Sequence, residues 1–207
     1  ELPTIQIVPL KDFSLLDATL EKISDYQWVI FASANAVESV FERLELQGKD
    51  ARALAGTTIG AIGPATAQAL ARRGITADFV PSRPVSEAIL DELPGQDWNG
   101  VSVLLPAADI GRDVLEKALS GMGAQVNRLA AYRNVPVEGV SDLAKKAFLD
   151  GIDVVTFTSS STVRNLVEML EGDLAGLDAS FIACIGPVTA ATAREMGLRV
   201  DLEATEH

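Results

Sequence analysis

Short apolar runs, each closed by small polar residues and followed by apolar positions at helical spacing, recur along this chain. The run 29–31 ends in Ala32, Ser33, Ala34 and Asn35, and a helix is predicted over 36–44. A second strand is predicted over 57–62 and is closed by Gly63, Pro64, Ala65 and Thr66. A helix over 67–73 follows, with Gly74 suited to the left-handed position just past its end. A strand beginning at 78–80 comes next, then a helix over 87–93 with Ser86 as its N-cap. A strand over 101–105, a helix over 112–119 and an extended segment over 125–131 complete this part. A further strand is expected at 4–8. Strand and helix alternate, which argues for an α/β fold with mostly parallel sheets.

The pattern repeats within the chain. Ile62-Gly63-Pro64-Ala65-Thr66-Ala67 matches Ile185-Gly186-Pro187-Val188-Thr189-Ala190 at an offset of 123, which also pairs Gly74 with Gly197 and Asp78 with Asp201. Phe31-Ala32-Ser33 matches Phe157-Thr158-Ser159 at an offset of 126. Two copies of one strand–turn–helix unit imply two similar domains. Their expected bounds are a complete α/β domain over 10–127 and a second over 137–207, with 1–9 and 128–136 as the two connecting strands. The second copy is expected to form a sheet of about three strands, short of the usual number. It reads as lacking its first βα unit.

Composition narrows the function. Hydrophobic residues make up 48% and charged residues 22%, which is a globular balance. No apolar run approaches the roughly 20 residues of a membrane span, and no signal peptide is visible. The net charge of −12 argues against nucleic-acid and anionic-membrane partners. One cysteine, Cys184, fits a reducing cytoplasm and reads as a buried core thiol. The one histidine is His207, the last residue, so no histidine-based triad or metal site is expected. No phosphate-binding P-loop is present, and the glycines at 56, 60 and 63 do not have dinucleotide spacing.

The remaining chemistry lies at four strand-to-helix turns, which begin at Ser33, Gly63, Ser159 and Gly186. Helix starts leave N–H groups free and carry the positive end of the dipole, so they favour anions. Each turn alone is accounted for by N-capping, worth about 1 kcal/mol. Four turns related by a repeat point to two anion-binding rims at the carboxyl ends of the strands. Elsewhere, Trp28 and Trp98 are expected over sheet edges and Arg72 and Arg73 at a helix C-terminus. Asp109, Arg112 and Asp113 read as opening a helix. Tyr132 sits inside the second connecting strand, free either to pack or to point its hydroxyl into a cleft.

These residues resemble uroporphyrinogen-III synthase, the enzyme family that closes the tetrapyrrole macrocycle. The resemblance is carried by Asp153 to Asn165, Ile182 to Ala190, Gly197 to Asp201 and Ala131-Tyr132-Arg133. It implies two flavodoxin-like α/β domains with parallel sheets, joined by a two-stranded linker, and a last helix after residue 207, so that the chain resembles one trimmed at both ends. It implies an enzyme that takes hydroxymethylbilane, removes water, and closes the ring with inversion of the last pyrrole through a spiro intermediate, without metal or organic cofactor. It assigns Tyr132 to assist departure of the hydroxyl. Ser33, Asn35, Thr66, Ser86, Arg112, Ser159, Ser160 and Thr189 are implied as contacts to substrate carboxylates. Ala107 and Ala32 depart from the arginine and threonine common in relatives. A monomer is expected, with possible hand-over of substrate from hydroxymethylbilane synthase. The competing reading is an inactive tetrapyrrole-binding or sensor domain, and a more distant one is another two-domain anion-binding enzyme such as one acting on phosphosugars.

Overall fold

The computed structural model describes residues 2–82, 92–93, 95, 97–111, 113–137, 139 and 141–204. The chain separates into two compact units, one formed by 7–134 and the other by 1–6 with 135–207.

The larger unit contains a five-stranded sheet with order β1-β5-β4-β2-β3. Its strands are β1 (Ile5–Val8), β2 (Trp28–Phe31), β3 (Thr58–Ala61), β4 (Ser102–Ala108) and β5 (Gln125–Pro136), and β1 and β5 also carry the two chain crossings between units. β2 runs parallel to β3 and to β4, and β4 runs parallel to β5. All four residues of β2 are buried, as expected of a parallel strand covered on both faces. Val29 and Phe31 meet Leu16 and Leu20 of α1 (Ser14–Glu21), Val37, Val40 and Phe41 of α2 (Ala34–Leu46), and Leu70 of α3 (Pro64–Arg72). On the opposite face Trp28 and Ile30 join Trp98, Val103, Leu105, and Leu115 and Leu119 of α4 (Val114–Gly121).

Several expectations are corrected here. The tryptophans do not lie over sheet edges: both are 5% exposed, with ring centroids 5.2 Å apart inside the second-face core. α2 begins at Ala34 and α3 at Pro64, each earlier than predicted, because small residues and a first-turn proline start a helix without contributing to apolar periodicity. β4 runs through Pro106 to Ala108, and the following helix starts at Val114. The β2–β4 ladder covers only Val103 and Leu104, so Pro106 lies beyond it. Position 79 forms a single parallel bridge to Gly60. Arg73 does more than complement a dipole: it bonds Glu38 and Glu45, both at 2.6 Å, and lies over the Phe41 ring. Helix α1 and the later helix Ser141–Leu149 carry no signal that was read from the sequence.

The smaller unit has a three-stranded parallel sheet, β6 (Val154–Phe157), β7 (Phe181–Cys184) and β8 (Leu202–Glu203), in that order. Helices α5 (Ser141–Leu149), α6 (Ser160–Met169) and α7 (Pro187–Glu195) send Phe148, Val163, Leu166, Ala190 and Ala193 onto Phe157, Ile182 and Cys184. The alternate strand positions Val154, Phe181 and Leu202 are exposed, so among the described residues this sheet is covered on one face only. Leu2 packs against this core, and Asn165 Nδ2 donates to the Thr4 carbonyl at 2.9 Å, which ties the first residues to this unit.

The repeat seen in the sequence has a structural purpose. Asp78 accepts the Ile59 N–H at 2.8 Å, and Asp201 accepts the Ile182 N–H at 2.8 Å, the same bond in each copy. That backbone bond is the main reason the Asp201 carboxyl is held below the usual range. Gly74 and Gly197 take φ of +80° and +85° just past α3 and α7, where a side chain would be strained. No helix among the described residues is long and apolar enough to cross a membrane.

Candidate active site

Each of the four helix starts leaves two N–H groups without an acceptor among the described residues. At α2, Ser33 Oγ accepts the Ala36 N–H at 3.2 Å and the Ser33 carbonyl accepts that of Val37, leaving Ala34 and Asn35. At α3, Pro64 has no N–H and the first backbone bond runs from Ala67 to Gly63, leaving Ala65 and Thr66. In the smaller unit the same count leaves Ser160 and Ser161 at α6, and Val188 and Thr189 at α7. Paired free N–H groups at the positive end of a helix are suited to a carboxylate.

The paired threonines differ. Thr66 is 2% exposed and its hydroxyl donates to the Ile62 carbonyl at 3.0 Å, so its side chain is engaged in closing the turn. Thr189, at 5% exposed, makes no hydrogen bond with its hydroxyl among the described residues. Ser159 caps α6 in a box with Thr162 and lies 3.0 Å from Ser161 Oγ. Ser160 Oγ accepts from Thr192 Oγ1 at 2.8 Å and reaches the Val188 carbonyl at 3.3 Å, which links the starts of α6 and α7. The first copy has Ala34 at the position of Ser160 and Ala69 at that of Thr192, so this link exists in one unit only. Asn35 is exposed on the first turn of α2. Ser86 and Arg112 lie outside the described residues.

Tyr132 lies on β5, 8% exposed, with its hydroxyl 3.0 Å from Ser33 Oγ. A β-bulge sets its direction. Ala107 pairs with Ala130 but Ala108 pairs with Tyr132, so Ala131 is an extra residue. Strict alternation would put Ala131 and Tyr132 on opposite faces of the sheet, yet both join the same core cluster. The bulge thus turns the phenol toward the start of α2. Bonds to the segment hold it there. Asp109 N–H donates to the Tyr132 carbonyl at 2.9 Å, and Asp109 Oδ1 accepts the Asn134 N–H at 3.1 Å. Arg133 Nε lies 3.7 Å from Asp109 Oδ2, and Ser39 Oγ donates to the Ala131 carbonyl. Sequence reasoning placed Asp109 at a helix start and did not notice Ser39. Neither the bulge nor its contacts leave a local signal, because they join residues far apart in the chain.

The sequence-predicted residues therefore fall into two groups. Ser33, Asn35, Thr66 and Tyr132 belong to the larger unit, and Ser159, Ser160 and Thr189 to the smaller. Cys184 is 2% exposed, and burial pushes its thiol pKa up, which disfavours the thiolate a nucleophile needs. Among the described residues no group of three or more His, Cys, Asp or Glu side chains is placed to hold a metal ion.

Comparison with known proteins adds to this geometry. The family model described as Uroporphyrinogen-III synthase HemD matches residues 1–207. The uroporphyrinogen-III synthase of Synechococcus elongatus is 36% identical over 215 residues, covering 100% of this chain and 80% of that protein. The porphyrin biosynthesis protein HemD of Ruminiclostridium josui is 31% identical over 200 residues, covering 96% of this chain but 39% of that longer protein. In fold, the chain is similar to a crystal structure of a mutant uroporphyrinogen III synthase from Thermus thermophilus. That match has a TM-score of 0.72 at 24% identity and covers 100% of this chain and 83% of that one.

Proposed function

Because the chain belongs to the uroporphyrinogen-III synthase family, we propose that it converts hydroxymethylbilane to uroporphyrinogen III, losing water and inverting the last pyrrole through a spiro intermediate. Family membership over the whole chain is the observation that carries this reading. The reaction asks three things of the protein: to hold a flexible polycarboxylate, to help a hydroxyl leave, and to favour inverting closure over the spontaneous route.

The helix starts meet the first demand. Ser33, Asn35, Thr66, Ser159, Ser160 and Thr189 present hydroxyl, amide and backbone donors to carboxylates, with Ser86 and Arg112 as further contacts. The role of Thr66 falls on its N–H, since its hydroxyl is taken. These donors are fixed dipoles, so the acidic net charge of the protein does not prevent anion binding at short range.

Tyr132 meets the second demand. Ser33 Oγ already accepts from Ala36, and its own hydrogen can be given to the phenol oxygen. The phenolic hydrogen is then free for the departing hydroxyl. The C–O bond breaks with its electrons on oxygen, the hydroxyl leaves as water, and the pyrrole nitrogen stabilises the resulting azafulvenium cation. Carbon–carbon bond formation consumes that cation, and the proton shed on ring closure restores the balance. Holding the chain of pyrroles in one pose meets the third demand. In this reading the protein acts as a monomer in the cytoplasm and receives its labile substrate from hydroxymethylbilane synthase.

The test generates hydroxymethylbilane in situ, adds the protein, and separates the oxidised uroporphyrin isomers by chromatography. Predominantly isomer III is expected. Isomer I alone, from the full-length protein, would overturn the reading and leave a binding module.

A further inference from the structure

The geometry points to Ser39 as a positioning residue for Tyr132, a role that rests on the tyrosine's assignment above. A serine inside a helix ordinarily turns its hydroxyl to solvent or to the carbonyl one turn back. Ser39, in the middle of α2, instead donates to the carbonyl of Ala131 on β5. Ala131 is the extra residue of the bulge, and a bulged residue loses its place in the strand ladder. A carbonyl taken out of the ladder needs another donor, and Ser39 supplies it.

The bond fixes the peptide that joins Ala131 to Tyr132. Helix α2 therefore holds the tyrosine at two points: Ser33 at the phenolic oxygen and Ser39 at the backbone beside its Cα. With both in place the ring has one direction. Without Ser39 the bulge can relax, and the phenol swings away from the line of the departing hydroxyl. Ser39 is not one of the helix-start donors, so its loss should affect turnover and spare substrate binding. An ångström of misplacement of a reacting group is enough to slow an enzyme greatly.

The experiment measures kcat and KM, with isomer analysis, for Ser39→Ala, Ser39→Thr, Tyr132→Phe and the double variant Ser39→Ala/Tyr132→Phe in the full-length protein. Ser39→Ala should lower kcat about tenfold with KM unchanged. Ser39→Thr, which keeps the donor, should restore it. In the Tyr132→Phe background Ser39→Ala should change kcat by less than about twofold, because the group it positions is already gone. A slow Tyr132→Phe with a normal Ser39→Ala would overturn the Ser39 role alone. So would an equal loss from Ser39→Ala in both backgrounds, since that marks general damage. A fully active Tyr132→Phe would remove the assignment of Tyr132, and the Ser39 role with it. If Ser39→Ala fails to fold by circular dichroism, Ser39→Cys, similar in size and a weak donor, takes its place with the same outcomes.

Discussion

Ser33 performs two tasks with one oxygen, and replacing it with alanine removes both. The cap on the Ala36 N–H is worth about 1 kcal/mol. The partly buried bond to Tyr132 adds a net of roughly 0.5–1.5 kcal/mol. Ser33→Ala should therefore cost about 2 kcal/mol. Tyr132→Phe loses only the second bond, keeps the ring and opens no cavity, so it should cost about 1 kcal/mol. The double variant should cost no more than Ser33→Ala alone, because the shared bond can be lost once; the coupling is then about 1 kcal/mol. The assay is urea unfolding followed by tryptophan fluorescence. Trp28 and Trp98 are the only tryptophans, and both lie in the unit that contains Ser33 and Tyr132. Simple additivity, with the double variant costing about 3 kcal/mol, would refute the argument, since the 3.0 Å contact would then carry no energy.

Three further outcomes follow from the same structure. Gly74→Ala and Gly197→Ala should each cost about 1 kcal/mol, since both positions have positive φ and neither added Cβ meets a close neighbour. Tryptophan fluorescence reads the first; the second shows as thiol labelling of buried Cys184 about fivefold faster, because labelling requires opening of its unit. Asp17 is bonded by Arg43, chiefly through the side-chain hydrogen bond, so its folded pKa is depressed. Its stabilising effect is present above the unfolded value of about 3.9 and is lost as pH falls through the folded value; the stability gap to Asp17→Asn, followed by fluorescence from pH 6 to pH 2, should close over that range. Thr189→Ala should raise KM for hydroxymethylbilane several-fold and leave stability nearly unchanged, whereas Thr66→Ala should destabilise the larger unit by about 1 kcal/mol. The reverse pattern would show that the two hydroxyls have been assigned the wrong roles.

Much of the fold was legible because its signals are local. The apolar runs of β2, β3 and β7, the glycines past α3 and α7, and the aspartates at 78 and 201 all sit where the repeat puts them. The turns were legible for the same reason. Helix starts were read late, since Ala34 and Pro64 contribute small side chains rather than periodicity. The strand read over 101–105 runs on through Pro106 to Ala108, which is possible because the proline lies beyond the stretch of β4 that is paired with β2. The surroundings of Tyr132 were not legible. They depend on Ser33, Ser39 and Asp109, which meet β5 only after the sheet has assembled and have no fixed spacing from it.

The bulge on β5 makes the orientation of Tyr132 a matter of parity. Side chains in a strand point alternately to its two faces, so the tyrosine shares a face with Ala131 only because the bulge absorbs one residue; a further residue inserted between Ala130 and the tyrosine, if it entered the ladder, would send the phenol to the opposite face. The substitution of any one neighbour has a far smaller effect on direction. Over evolutionary time this strand should therefore tolerate changes of composition while resisting insertions. A single inserted residue there would alter a percentage identity very little and yet separate a protein that can aim this hydroxyl from one that cannot.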